Sequence, residues 1–281
     1  MQLTEQGVQP GDSCLLAVMT DNSDDKNFPP GKRQYTLDFA YHGGIYRDVW
    51  MIGKSSVAIT DALEADKVAG GGVFVHFDNI SGKKAEVYVD TEVHNSGKRT
   101  RTVAVETVLA DAGDVPVKRI SQQVKLQAGE SKTVRQQFAV RNPKLWSPDS
   151  PYLYRIQSRV KAGHEVLDGG VTRVGIRKAE FKGKDGFWLN GKPFGQLVGA
   201  NRHQDFAYVG NALPNSQQWR DAKRLRDAGC TIIRVAHYPQ DPAFMDACDE
   251  MGLFVIVATP GWQYWIKIRS SQSWYIGIPV R

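Results

Sequence analysis

The chain has 281 residues, of which 41% are hydrophobic and 23% are charged, and its formal net charge is +6. This length allows two or three domains, and no apolar run approaches the roughly 20 residues of a membrane span, so we expect no membrane-spanning segment. Lysine and arginine are scattered instead of grouped in the clusters typical of nucleic-acid binding, so nucleic acid is not an expected partner.

The cysteines and the N-terminus support two further expectations. Cys14, Cys230 and Cys248 are far apart and odd in number, so they indicate neither a disulfide framework nor a zinc site. We expect them to be small buried hydrophobic residues. The N-terminus has neither a basic region nor an apolar region of the kind found in signal peptides, so no secretory signal is visible and the compartment stays open.

Residues 1–57 contain two short apolar runs, SCLLAVMT and YTLDFA, followed by YHGGIYRDVWMIG. The runs are separated by a loop rich in Asp, Asn, Pro and Gly, a pattern that favours short β-strands joined by turns. Three or four strands make a poor independent core, because a small sheet needs a partner to bury one face. We therefore predict that these residues form part of a larger β domain.

Residues 58–178 contain about seven segments in which apolar and polar residues alternate. The alternation is clearest at Val87, Val89, Val93, Val103, Val105 and Leu109. Strands at this spacing, about 8–12 residues apart, are typical of a seven-stranded β-sandwich of about 100 residues.

The period changes after residue 178. A hairpin is expected to turn at Asn190-Gly191, and the order strand, helix, strand, helix, strand follows with short connections. This order is typical of the start of a parallel α/β sheet or barrel. The first helix is predicted to begin at an N-cap formed by Asn215 or Ser216.

The second helix has clearer boundary signals. Asp241 is its predicted N-cap, Pro242 its first residue and Gly252 its end. The apolar segment LFVIVAT then predicts the third strand.

Polar side chains follow all three predicted strands. They are Asn201, Arg202, His203 and Asp205 after the first, Arg234, His237 and Tyr238 after the second, and Thr259 and Trp262 after the third. In parallel α/β folds, substrates bind beyond the carboxyl ends of the strands. Three such ends would converge on one mouth, so the sequence predicts a binding site there.

Each of these residue types has a structural alternative. The two arginines can pair with carboxylates inside the barrel mouth, and the two histidines can be hydrogen-bonded core residues. A metal shared by the histidines lacks a third ligand of matching spacing, so we expect neither a metal nor a cofactor. Tyr238 and Trp262 are more often packing residues than ligand platforms, although stacking of a sugar ring on Trp262 stays open.

Seven motifs follow one another in the order YHGGIYRDVW, NPKLWSPDSPYLYR, VGIRKAEF, LNGKP, GANRHQD, IRVAHYP and ACDEMGLFVI. Their joint order, from about residue 35 to residue 262, resembles glycoside hydrolase family 2, the group of β-galactosidases, β-glucuronidases and β-mannosidases. The resemblance implies a multidomain β plus α/β fold with a jelly-roll β-sandwich, an immunoglobulin-like β-sandwich and a (β/α)8 TIM barrel.

The three segments correspond to these domains in order. We expect the C-terminal part of the jelly-roll sugar-binding domain at 1–57, the immunoglobulin-like sandwich at 58–178 and the N-terminal part of the TIM barrel at 179–265. Residues 266–281, IKIRSSQSWYIGIPVR, fit neither the next barrel helix nor a linker. Our hypothesis for this tail is a truncated or frameshifted reading frame.

The resemblance also implies an activity, a retaining β-glycosidase with a β-galactoside as the first choice of substrate. The implied sugar-binding residues are His203, Asp205 and His237, which would contact the sugar where the bond breaks, Asn201, Arg202 and Arg234, which would shape the pocket, and Trp262. Such donors and acceptors hold sugar hydroxyls and stabilise an oxocarbenium-like transition state.

The chain departs from this family in its catalytic carboxylates. Retaining enzymes use two carboxyl groups about 5–5.5 Å apart, and in the family these follow barrel strands four and seven. Residues 253–281 contain no Asp or Glu at all, and Asp249 and Glu250, adjacent on a helix, would point about 100° apart. A complete barrel takes about 250 residues. We therefore expect a member cut at both ends that is inactive alone.

Two alternatives stay open. The chain can be a non-catalytic carbohydrate-binding or structural β-sandwich fragment. It can also be an unstable fragment whose open strand edge pairs with another chain, and a homo-oligomer stays open as an assembly state.

Overall fold

The computed structural model describes residues 7–9, 11–25, 33–37, 39, 40 and 42–258. Within these residues the chain forms fourteen strands and two α-helices. The strands are β1 (Val57–Ile59), β2 (Val73–Asp78), β3 (Lys84–Asn95), β4 (Arg101–Ala110), β5 (Pro116–Leu126), β6 (Ser131–Arg141), β7 (Tyr154–Ala162), β8 (Glu165–Val174), β9 (Ala179–Phe181), β10 (Phe187–Leu189), β11 (Lys192–Pro193), β12 (Gly199–Arg202), β13 (Ile232–Val235) and β14 (Phe254–Val257). The helices are α1 (Asn215–Asp227) and α2 (Pro242–Met251). None of the helices in the described ranges is long and apolar enough to cross a bilayer.

The N-terminal segment differs from its prediction. The described residues before Val57 contain a short 3-10 turn at Gln34–Thr36 but no strand, so the strand predicted at SCLLAVMT does not form, and the turn takes the place of the start of the strand predicted at YTLDFA. Leu15 and Met19 are 96% and 92% exposed, and Cys14 is exposed where a buried residue was expected. A strand needs a neighbour for its backbone groups, and none pairs with these runs in the described part of the chain. The jelly-roll assignment of 1–57 stays a prediction.

Strands β1 to β8 form a sandwich of two antiparallel sheets. In the first sheet, β3 pairs with β1 and β2 on one side and with β6 on the other. The second sheet has the order β5-β4-β7-β8. The two sheets bury alternate residues against each other, including Val87, Phe138, Leu109 and Ile156. The predicted sandwich is therefore confirmed, with β1 as an additional short strand.

A small antiparallel sheet connects the sandwich to the parallel strands. It has the order β11-β10-β9, and its tight turn lies at Asn190 and Gly191, whose φ angles are +52° and +80°. Positive φ at both turn residues is the signature of a type I′ hairpin, so the predicted hairpin is confirmed. Phe187 and Leu189 of β10 pack with Trp146 and Phe254 in one buried cluster.

Strands β12, β13 and β14 are parallel and adjacent, with one helix in each connection. This arrangement confirms the start of a TIM barrel. Ile233 and Val235 pack against the helices, while Ile232 packs with the hairpin on the opposite face. Because successive strand residues alternate between faces, Arg234 lies on the same inner face as Ile232.

The boundaries of α2 were predicted correctly, and the N-cap of α1 was not. Asp241 caps α2 by accepting a hydrogen bond from the Ala243 N–H at 2.9 Å, and Gly252 ends the helix with φ +75°, as predicted. Helix α1 instead has Pro214 at its N-cap with no side-chain cap bond, so the predicted cap was wrong. Asn215 is the first helical residue.

Candidate functional site

Three aromatic side chains meet where β12 and β13 end. The ring centroids of His203 and His237 are 5.3 Å apart, with an interplanar angle of 75°, and those of His203 and Tyr238 are 6.3 Å apart. All three side chains are half-buried. The fold therefore brings together residues from two separate strand ends, which is where the sequence predicts a binding site.

The Arg234 side chain orients His237. Its Nη2 lies 3.1 Å from Nδ1 of His237. A guanidinium can only donate hydrogen bonds, so Nδ1 is the acceptor in this pair. In neutral His237 the ring proton is consequently on Nε2. Nε2 is therefore the hydrogen-bond donor of the neutral His237 ring.

Arg202 occupies a different environment from Arg234, although both lie at the carboxyl end of a barrel strand. Its side chain is 6% exposed and bonds to Asp221 at 2.6 Å, Gln218 at 2.8 Å and Gln240 at 2.6 Å. Its Cζ atom lies 4.0 Å from the ring centroid of Phe244 in α2. Arg202 therefore faces the helix layer, in agreement with the structural alternative left open by the sequence, whereas Asn201 is exposed.

Two buried glutamines connect the loops that follow β12 and β13. The Nε2 of Gln240 donates to the carbonyl oxygen of Arg202. The Oε1 of Gln204 accepts from the Asp241 N–H at 3.0 Å. Both glutamines are almost completely buried. The sequence analysis missed them, since a glutamine within the polar stretch after a strand has no signature that separates it from a surface residue.

Tyr238 carries a perturbed hydroxyl. Burial raises the pKa of Tyr238 above its ordinary value, and the negative charge of Asp205 acts in the same direction. The hydroxyl accepts a long hydrogen bond of 3.5 Å from the Gln204 N–H. At neutral pH the phenol is therefore protonated and can donate a hydrogen bond.

Phe39, from the N-terminal segment, contacts the same cluster. Its ring centroid lies 5.5 Å from that of His237, 5.8 Å from that of Tyr238 and 6.2 Å from that of His203. The sequence analysis assigned this residue to a strand and not to the site. Its position depends on a contact between parts of the chain that are distant in sequence, and a local sequence pattern does not predict such a contact.

The remaining predicted residues are less defined. Asp205 is exposed at the rim of the mouth, and Trp262 and the tail lie outside the described residues. Across the described ranges, no group of three or more His, Cys, Asp or Glu side chains is arranged to hold a metal ion.

Two family models match most of the chain. Residues 72–177 match the family model of glycosyl hydrolases family 2, and residues 180–274 match the TIM barrel domain of the same family. The chain belongs to glycosyl hydrolases family 2. The second match ends at residue 274. The barrel segment predicted from the sequence ends earlier, at residue 265.

Individual relatives agree with the family. The chain is 34% identical to a β-galactosidase of Thermoanaerobacter pseudethanolicus over 89% of its own length and 31% of that protein. It is 30% identical to a β-galactosidase of Bacteroides ovatus, over 92% of the chain and 28% of that protein. The crystal structure of a Bacteroides uniformis β-glucuronidase superposes with a TM-score of 0.73 at 30% identity, covering 80% of this chain and 26% of that one. The chain thus spans between about a quarter and a third of the length of these relatives.

Proposed function

We propose that this chain forms one wall of the sugar pocket in a family 2 β-glycosidase that acts with retention on terminal β-linked sugars. A β-galactoside is the favoured substrate because two of the relatives described above are β-galactosidases. The observation that carries the proposal is the cluster of His203, His237 and Tyr238 at the ends of two adjacent barrel strands. Carbohydrate is accordingly the proposed partner.

The polar groups of the cluster suit a sugar ring. The Nε2–H of His237, fixed by Arg234, and the hydroxyl of Tyr238 supply donors, and the Asp205 carboxylate supplies an acceptor. Sugar hydroxyls need both kinds of partner, and interactions that strengthen as positive charge develops on the ring would favour the transition state. Asn201 and Arg234 would shape the inner face of the pocket, while Arg202 would position β12 against the helices. Trp262 remains a proposed stacking surface.

Cleavage itself needs groups beyond this wall. Retaining hydrolysis requires a nucleophile and an acid/base about 5–5.5 Å apart, and residues 253–281 contain no Asp or Glu. We propose that the 281-residue chain binds a β-galactoside without cleaving it. In the family the two catalytic carboxylates follow barrel strands four and seven, and the described residues form three barrel strands.

Calorimetry with isopropyl β-thiogalactoside, together with a nitrophenyl β-galactoside assay, tests the proposal. The wild-type chain should bind and release no nitrophenol above the blank. His237→Ala should weaken binding about tenfold, the equivalent of one lost hydrogen bond of about 1.4 kcal/mol. His164→Ala, which changes an exposed histidine between β7 and β8, is the matched control and should bind like wild type. Turnover that disappears in His237→Ala, or equal binding by all three proteins, would refute the proposal.

A purely structural role is the second candidate, favoured by the closed core of the sandwich. In that case the chain would hold neighbouring domains and bind no sugar at the mouth. The same calorimetry separates the two, because only the first candidate predicts a binding signal that depends on His237.

A further inference from the structure

A stretch of chain that precedes the sandwich lies across the barrel mouth. We call residues 39, 40 and 42–48 the N-terminal strap. Besides the ring contacts of Phe39, the strap reaches the barrel segment at three places. Arg47 bonds to Pro239, Asp48 lies 3.5 Å from Asn215 at the start of α1, and His42 lies against Gly210.

The bond made by Arg47 fixes the loop that carries the site. Its Nη2 donates to the carbonyl oxygen of Pro239 at 2.6 Å, across a sequence separation of 192 residues. Pro239 directly follows Tyr238 and lies two residues after His237. Hydrogen bonds from a charged donor are shorter and stronger than neutral ones. This bond therefore ties the loop after β13 to a segment that precedes the sandwich.

Gly210 permits the close approach of the strap. Its φ is +56°, and an added Cβ would lie only 2.5 Å from Nδ1 of His42. Gly210 closes the loop after β12 through a bridge with Phe206. The strap consequently contacts the loops after both β12 and β13, and these loops carry His203 and His237.

Phe39 adds aromatic packing to the contacts that Arg47 and His42 make with these loops. Its distances to the rings of His203, His237 and Tyr238 all fall within the usual range of aromatic contacts, about 4.5–7 Å. Phenylalanine offers no hydrogen bond, so it restrains these rings by contact alone and leaves their polar atoms to other partners.

We propose that the N-terminal strap is a positioning element of the site. Arg47 holds the loop with His237 and Tyr238 in place, and Phe39 sets the orientation of the three rings. Neither residue is assigned a chemical step. The effect on sugar affinity rests on the proposed function, whereas the effect on ring geometry does not.

Proton–carbon NMR of the histidine rings in the 281-residue chain tests the proposal. The chain has six histidines, whose signals can be assigned with single His→Gln variants. Arg47→Ala should shift the signals of His203 and His237, and the signals of His76, His94 and His164 in the sandwich should not move. Arg47→Lys, which keeps one charged donor, should return the shifts part of the way towards wild type.

Arg226→Ala is the matched control, because Arg226 also donates to a proline carbonyl, that of Pro148, at 3.0 Å. It should leave the mouth signals in place. If Arg47→Ala fails to fold, Arg47→Gln decides, since it removes the charged donor, keeps most of the side chain and leaves the Phe39 ring in place, and it should still move both mouth signals. Mouth signals that stay unchanged in Arg47→Ala, or in Arg47→Gln where that variant decides, overturn the proposal.

Sugar binding provides the second measurement. Arg47→Ala should raise the Kd for isopropyl β-thiogalactoside about fivefold, with Arg226→Ala unchanged. A wild-type chain that binds no thiogalactoside contradicts the proposed function. The histidine signals still decide the role of the strap in that case, so the two failures are distinguishable.

Discussion

The sandwich and the barrel segment cover their apolar residues in different ways. In the sandwich, each sheet supplies the cover for the other, and both core clusters are built almost entirely from β1 to β8. The barrel segment buries one face under its own helices. Its inner face is covered near the start of the strands by Trp146 and the hairpin, while Arg234 lies further along that face towards the mouth.

This difference explains why the candidate site lies in the barrel segment. A sheet face that its own domain covers completely has no room for a ligand, whereas a row of inner residues at the carboxyl ends of parallel strands does. The polar groups of the candidate site, including His203, His237 and Arg234, belong to the barrel segment, whereas Phe39 reaches the site from the N-terminal segment. The sandwich contributes by holding that segment through Trp146, which connects the two regions.

Replacement of Trp146 should give the largest difference in stability between the sandwich and the barrel segment. Trp146 is fully buried, its Nε1–H donates to the Asp249 carbonyl at 2.8 Å, and its ring contacts Phe254 at 5.3 Å. Trp146→Ala should cost about 3–5 kcal/mol, as for other buried aromatic truncations. Hydrogen exchange should show lost protection in β13 and β14 while β3 and β4 keep theirs.

Phe138→Ala is the counterpart in the sandwich. Phe138 is a buried aromatic residue of β6, so this variant should lower protection in β3 and β4. If Trp146→Ala instead lowers protection in both regions equally, the barrel segment and the sandwich form one cooperative unit and their cores are not independently stable.

Removal of the countercharge of the buried Arg202 should give the next largest loss of stability. Arg202 is 6% exposed, and the side chain of its partner Asp221 is 24% exposed. Asp221→Asn leaves the buried guanidinium without a countercharge, a change that typically costs about 3 kcal/mol. Urea denaturation measures the loss.

An exposed ion pair on the same helix provides the control. Lys223 and Asp227 lie 2.6 Å apart with side chains 65% and 60% exposed. Asp227→Asn should cost only about 0.3–0.5 kcal/mol. Equal losses for the two variants would show that Arg202 is solvated and does not act as a buried structural residue.

The difference between the sandwich and the barrel segment also explains which features of the structure the sequence could predict. The sandwich strands are readable because antiparallel neighbours impose a strict two-residue alternation, as in Val87 and Val89. The Asp241 cap and the Asn190-Gly191 turn are equally local. Arg202 and Arg234 are the same residue type at equivalent strand ends, and only the strand face on which each lies separates a structural role from a role in the site.

The strap was not predictable for a related reason. The bond from Arg47 to Pro239 spans 192 residues, so no periodicity or spacing encodes it. The runs predicted as strands before Val57 have the right composition, but pairing depends on neighbours that the described chain does not provide. Local patterns thus predict elements and their ends, and the contacts between distant elements need the structure.

Ionisation of two tyrosines, the half-buried Tyr238 and the buried Tyr154, should give the smallest difference in stability between the regions. Burial raises the pKa of Tyr238 at the mouth and of Tyr154 in the sandwich above the ordinary value near 10. As the pH rises through about 10, the unfolded chain loses these protons first, so the folded state binds more protons and its stability falls with pH. Below about pH 9 both states keep the protons and the effect is absent. Tyr238→Phe and Tyr154→Phe should each reduce the alkaline loss of Tm, whereas Tyr208→Phe, at a fully exposed position, should not. An alkaline loss unchanged in Tyr238→Phe but reduced in Tyr154→Phe would mean that the mouth, unlike the sandwich, is open to water.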